Sequence, residues 1–195
     1  VVKLGHLEDK VQADGLYFNY CAHVTSLKNI RMILSKNMKG KCVAVIDVSQ
    51  AFLQANGFPE GVYKYTWWTC KRTGQKRVFR SSGPQYGECS APVRWLDTLK
   101  EFMAGIGLKP CRNEPATFRH EVTGLIVAAY VDDLTCVGSR ADVQQFLDEL
   151  MARFACKDPE WLAPDTPIDL LGMELSIQDV DGIPSLIISM ESYID

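Results

Sequence analysis

The sequence predicts an α+β protein built on an antiparallel sheet, with helices packed on one face. Three observations carry that prediction. Two apolar runs rich in Val, Ile, Leu and Tyr, Leu125–Val131 and Leu134–Val137, are separated by two residues, which is hairpin length. Val24–Leu34, Val93–Ile106 and Ala141–Phe154 carry apolar residues at helical spacing. Strand, helix and strand then alternate along the chain, with antiparallel hairpins between them, as in a sheet covered by helices.

Taken in order, Val1–Asn19 is poorly patterned. Val24–Leu34 reads as a helix because Leu27, Ile30, Ile33 and Leu34 share a face and Ser26 can cap its start. Lys39-Gly40-Lys41 leads into VAVIDV (Val43–Val48), a buried-strand run with Asp47 near its end, and Ala51, Phe52 and Leu53 follow in a short helix-like turn. Val62–Trp68 and Lys76–Arg80 straddle a polar turn ending in Gly74, a hairpin carrying five cations: Lys71, Arg72, Lys76, Arg77 and Arg80. Val93–Ile106 places Trp95, Leu96, Leu99, Phe102 and Met103 on one face, and Gly105 and Gly107 mark its end. Ala116–His120 is a short strand ahead of the Leu125–Val137 hairpin. In Ala141–Phe154, Val143, Phe146, Leu147, Leu150 and Phe154 recur at helical spacing. Ile168–Ile177 and Leu186–Met190 are two further strands joined through Asp179–Gly182.

A chain of 195 residues can bury a sizeable core, and 47% hydrophobic content is ordinary for a globular protein. No apolar run approaches the roughly 18 residues of a membrane span, so no membrane partner is expected. The opening Val suggests a fragment or a processed piece. Seven scattered cysteines with no CxxC pair suggest neither a zinc site nor a disulfide framework, and fit a reducing compartment. The net charge of −3 averages two unlike parts: residues 1–112 hold 17 Lys/Arg against 8 Asp/Glu, whereas residues 113–195 hold 4 against 16. A basic surface for phosphates beside an acidic region would produce this, and so would chance clustering on solvated faces.

Asp132 and Asp133 sit between two apolar strands, where two-residue turns usually want Gly or Asn and where like charges repel. The pair reads either as a solvated turn or, with Asp47 in matching surroundings, as part of a site for hard divalent cations, which take oxygen ligands.

YVDDL (Tyr130–Leu134) and DVSQAFL (Asp47–Leu53) resemble the catalytic core of reverse transcriptases, and most of all the polymerases of copia-type LTR retrotransposons. Further similarities follow in family order: SLKNIRMIL (Ser26–Leu34), EGVY (Glu60–Tyr63), QYGECSAPVRW (Gln85–Trp95) and LLGMEL (Leu170–Leu175). Together they span about Val24 to Asp195. The resemblance implies one catalytic domain of fingers-palm architecture, with fingers about 1–42 and 58–90 and palm about 43–57 and 91–195. The chain stops where the family's thumb should begin, and no ribonuclease H portion is expected in it.

By that likeness Asp47, Asp132 and Asp133, with the Val48 backbone carbonyl, would hold two Mg²⁺ ions, or Mn²⁺. Phe52, five residues after Asp47, matches the aromatic beneath the incoming sugar that excludes a 2′-hydroxyl, although plain core packing is the alternative. Ala51, Tyr86 and Ser90 would complete the nucleotide side. Lys71, Arg72, Lys76, Arg77, Tyr130 and Gly172 would contact template or primer. Trp67 and Trp68 are candidates for base stacking or for packing. Arg31 stands at the family's SIR arginine, as a structural ion pair or a substrate contact. The likeness departs at Glu88–Ser90, where Ser90 replaces a Gln and Glu88-Cys89 replace Leu-Lys, and Arg94 falls one place late. Implied partners are an RNA/DNA template-primer, dNTPs and the remainder of a Gag-Pol-like polyprotein, in a cytoplasmic virus-like particle with nuclear access at integration. Two other functions stay open: an inactive retrotransposon relic that keeps the fold, and a non-enzymatic RNA-binding domain. The RNA-binding reading is disfavoured because such modules carry aromatics, not carboxylates, on the open sheet face.

Overall fold

The computed structural model describes residues 22–35 and 40–190. The expectations placed on Val1–Asn19, on Lys39 and on the stretch Tyr193-Ile194-Asp195 lie outside them. The chain divides into two compact units, one containing Gln50–Glu101 and the other His23–Ser49 with Phe102–Asp195.

The larger unit is built on a six-stranded antiparallel sheet. Its strands are β1 (Cys42–Asp47), β4 (Leu108–Cys111), β5 (Glu114–His120), β6 (Ile126–Tyr130), β7 (Asp133–Gly138) and β8 (Glu160–Trp161), in the spatial order β4-β5-β6-β7-β1-β8. β1 and β7 are neighbouring interior strands, and their near-continuous apolar sequence reflects burial on both faces. The register pairs Val43 with Val137, Val45 with Thr135 and Asp47 with Asp133, so these side chains share one face.

Helix α1 (Leu27–Leu34) covers part of that face. Its Ile30, Ile33 and Leu34 pack in one cluster with Val43, Ala128 and Val137 and with Ile168, Leu170, Met173 and Leu175. The helix begins three residues later than its apolar pattern suggests. Ser26 is the N-cap, its hydroxyl oxygen accepting from the Asn29 N–H at 3.2 Å. Leu27 is exposed; the buried position is taken by Asn29, whose amide donates to Thr25 Oγ1 (3.0 Å) and Thr117 Oγ1 (2.7 Å). A buried amide is tolerated there because its donors are both satisfied.

Helix α4 (Arg140–Arg153) lies on the opposite face. Gly138 alternates with Cys136 and Leu134 along β7, and a Cβ on it would meet Val143 Cγ2 at 3.4 Å. Ser139 caps α4, with Asp142 at the third helical position returning the bond. Phe146 and Phe154 close on Phe102, with centroids 6.4 and 5.4 Å away. The α+β class and the antiparallel sheet are as the sequence predicts. Helical cover comes from α4 on one face, while α1 and a small sheet cover part of the other.

That small sheet has the order β11-β10-β9, from β9 (Ile168–Leu170), β10 (Met173–Val180) and β11 (Ile183–Ser189). The apolar run Ile168–Ile177 is therefore two strands, not one. Leu171 and Gly172 turn with φ of 54° and 77°, a two-residue turn invisible to hydrophobicity because Leu fills a position that favours Asn or Gly. Asp181-Gly182 makes the second such turn.

In the smaller unit, β2 (Lys64–Thr69) and β3 (Lys76–Ser81) form the expected hairpin. α2 (Ala51–Gln54) is a single turn, and α3 (Ala91–Gly105) starts in this unit and ends in the other. Trp95, Leu96, Leu99 and Met103 of α3 are buried as its periodicity requires.

Candidate active site

The centre of interest is the hairpin between β6 and β7. Tyr130 pairs directly with Asp133, so the two turn residues are Val131 and Asp132, not Asp132 and Asp133. The shift by one residue puts Asp133 inside a strand and Val131 at φ 59°, in the left-handed region that a β-branched side chain avoids. Such a residue costs about 1–3 kcal/mol and persists only where its surroundings impose it. One imposition is visible: the Asp132 carbonyl accepts the Val48 N–H at 2.9 Å, tying the turn to the end of β1.

Asp47 and Asp133 are side by side as register partners, with Tyr130 next to Asp133 on the same face. On the other side of Asp47 runs a short stretch of chain not anticipated from the sequence. Val48 bridges Cys156, Ser49 N–H donates to the Ala155 carbonyl at 2.9 Å, and Lys157 N–H donates to the Asp47 carbonyl at 2.9 Å. Lys157 Nζ then reaches Asp47 Oδ2 at 3.1 Å. Four residues thus form a row across the sheet: Tyr130, Asp133, Asp47, Lys157. Reading for acids alone missed Lys157; the signal available was a lysine shortly after a well-marked helix, which is too common to single out.

The electrostatics follow from this row. Burial pushes the Asp133 carboxyl above the usual carboxylate range, the charges of Asp132 and Asp47 add to the rise, and Lys157 opposes it. Lys157 is raised in turn by its hydrogen bond to Asp47 and by the surrounding negative charge. The Cys156 thiol is pushed up to about 11 by burial and by Asp47, so it stays protonated.

A carboxyl with a raised folded pKa favours folding only while protonated. The stability it contributes is present below the unfolded value and is lost as pH rises through the folded one. Asp133→Asn is therefore expected to raise the metal-free melting temperature at neutral pH, by about 2–4 °C per kcal/mol of burial and repulsion cost removed. Parallel melts at neutral and acidic pH check this: the gain should shrink as pH falls through the carboxylate range.

Asp47, Asp132 and Asp133 lie close enough to perturb Asp133, yet no three His, Cys, Asp or Glu side chains among the described residues close on one point as a metal-ligand set. In donor chemistry the group nevertheless fits a hard divalent cation, being all oxygen and partly neutralised at Asp47 by an ammonium where a cation would act.

The remaining candidates in this unit are Val48, whose N–H is committed to Asp132, and Gly172, whose N–H donates to Asp169 Oδ1 at 3.2 Å in its own turn. Arg31 reaches the Met190 sulfur.

In the smaller unit Phe52 is half-buried and its ring stands 4.9 Å from that of Tyr86, tilted by 45°. Ala51 is buried. Ser90 is also buried and accepts from Lys64 Nζ at 3.3 Å, while Lys64 pairs with buried Glu88 at 3.1 Å. The departures from the family pattern at Glu88 and Ser90 thus form one polar cluster around Lys64. Lys71, Arg72, Lys76 and Arg77 are all exposed on the β2–β3 hairpin, as are Trp67 and Trp68. Arg80 stacks over Tyr63, 4.7 Å from its centroid.

Among solved structures, the chain is similar to apo telomerase from Candida tropicalis truncated from its C-terminal domain, at 14% identity and a TM-score of 0.51, over 78% of this chain and 39% of that one. At that identity the likeness is one of fold. Telomerase from Candida albicans, solved with a TWJ fragment of telomeric RNA, aligns at 10% identity and a TM-score of 0.49, over 80% of this chain and 35% of that one. The chain spans about two fifths or less of these telomerases. No helix among the described residues is long and apolar enough to cross a membrane. The family described as "Reverse transcriptase (RNA-dependent DNA polymerase)" matches residues 9–194, nearly the whole length, and to that family the chain belongs.

Proposed function

We propose that the chain is the fingers-palm core of a copia-type retrotransposon reverse transcriptase, adding dNTPs to a primer 3′-hydroxyl on an RNA or DNA template. The observation that carries this is the adjacency of Asp47 and Asp133 on neighbouring strands, with Asp132 in the strained turn beside them. Two Mg²⁺ ions, or Mn²⁺, bound by Asp47, Asp132, Asp133 and the Val48 carbonyl would activate the primer hydroxyl and offset charge on the leaving pyrophosphate. The protein's own task is then positioning and charge, since in-line phosphoryl transfer leaves little covalent work to side chains. Phe52, with Ala51, Tyr86 and Ser90, serves the nucleotide, and the Phe52 ring excludes a ribose 2′-hydroxyl. Tyr130 and Gly172 serve the primer. The partners are template-primer, dNTPs and the rest of a Gag-Pol-like polyprotein, within a cytoplasmic particle that gains nuclear access at integration. RNA-templated primer extension with carboxylate variants tests the reading.

Lys71, Arg72, Lys76 and Arg77 serve phosphates without reading sequence. Neutralising all four is expected to flatten the salt dependence of nucleic-acid binding, by roughly 0.7–0.9 in log–log slope for each phosphate that is no longer neutralised. Binding titrations over a salt series measure it, and an unchanged slope would remove the hairpin from the phosphate-facing surface.

A second reading, a relic that keeps the fold without activity, is favoured by Ser90. A buried hydroxyl engaged by Lys64 replaces the two-sided amide of the family's Gln. Absence of extension by the parent protein under conditions where it binds template-primer would favour it.

A further inference from the structure

Asp47 and Asp133 face each other across β1 and β7, a placement of like charges that destabilises a sheet unless a cation offsets it. Among the described residues Lys157 supplies that cation, and it does so from a fixed base. Three antiparallel positions, 47 with 157, 48 with 156 and 49 with 155, lock its backbone beside the end of β1. The pairing register changes just beyond. Val45 pairs with Glu160, yet three residues further along β1 Val48 meets Cys156, four residues back, so the partner strand carries one extra residue. An unbroken ladder would have set Asp158 opposite Asp47. The backbone is thus built to present a lysine, while the side chain itself is 70% exposed and free to swing away.

We propose that Lys157 is a tethered counter-cation of the carboxylate row, one that a divalent ion must displace from Asp47, so that Lys157 sets the cation concentration at which the centre fills. This rests on the carboxylate reading above. It differs from a direct role in the reaction, because it concerns occupancy of Asp47 before any nucleotide arrives. An ammonium and a metal ion compete for the same Oδ2 lone pairs, and the exposed stem lets the loser move into water at little cost.

The test titrates Mn²⁺ or Mg²⁺ alone into the protein and reads the apparent Kd by calorimetry and by the metal-dependent shift in melting temperature. Lys157→Met and Lys157→Gln are expected to bind the ion about two- to fivefold more tightly than the parent, the scale set by an exposed ion pair. Lys157→Arg should stay near the parental value. Without metal, the two neutral variants should melt below the parent, and the curves should converge as metal saturates. Parental or weaker metal binding by both neutral variants, with binding still lost in Asp47→Asn, would overturn the inference and leave the carboxylate centre standing. If neither the parent nor the neutral variants bound the ion, the carboxylate reading would fail and this inference with it.

Discussion

Asp47→Asn and Asp132→Asn are each expected to lower Mg²⁺-dependent primer extension by more than about a hundredfold, beyond what loss of an outer-shell partner of a metal causes. Each change removes a charge and keeps the side-chain volume, so chemistry should suffer while packing does not. The structure says why the fold should survive. Asp132 holds the Val48 N–H through its backbone carbonyl, which the substitution leaves in place. Asp47 loses its pairing with Lys157, whose mostly exposed side chain makes that pair a small contributor to stability. Circular dichroism should therefore match the parent while extension collapses. Melting should be nearly unchanged for Asp47→Asn, where the lost ion pair offsets the relieved repulsion of Asp133, and shifted upward for Asp132→Asn. Near-parental extension by either variant of an active parent would mean that the site is misassigned.

Phe52→Ala is the second large effect, expressed as selectivity. If Phe52 serves the nucleotide as proposed, removing the ring opens the space where a ribose 2′-hydroxyl would clash, and the preference for dNTPs over rNTPs is expected to fall by at least about tenfold. The stability cost should be moderate. A fully buried Phe truncated to Ala costs roughly 3–5 kcal/mol. Phe52 is only half-buried and leans on Tyr86 with centroids 4.9 Å apart, so about 1–3 kcal/mol is expected, including the pairing of the rings. Nucleotide selectivity and melting temperature measured on the same preparation separate the two roles. A core-sized stability loss with unchanged selectivity would move the sugar pocket elsewhere.

Much of the fold was legible because burial imposes period and length. Cys42–Asp47, Lys64–Thr69, Lys76–Ser81 and the helices α3 and α4 lie within a few residues of their apolar patterns. What escaped was decided by backbone dihedrals and by long-range pairing. Nothing in composition tells a turn at Val131-Asp132 from one at Asp132-Asp133, because a valine at positive φ runs against local preference. Leu171-Gly172 hid a hairpin inside an apolar run for the same reason. β8 is two residues long and has no pattern of its own, and β4 carries a proline at Pro110. At the candidate site the acids were visible as residue types on strand ends. Lys157 was not, since what places it is a bridge between segments 108 residues apart in the chain, Val48 and Cys156.

The extra residue that brings Lys157 opposite Asp47 falls at Asp158-Pro159, between the Cys156 bridge and Glu160. This strand lies at the edge of the sheet, where a proline whose nitrogen faces away from β1 costs the ladder nothing. The ladder resumes out of step, and a cation meets Asp47 where an anion would have stood. Charge at this corner of the protein is therefore governed by a one-residue change in hydrogen-bond register.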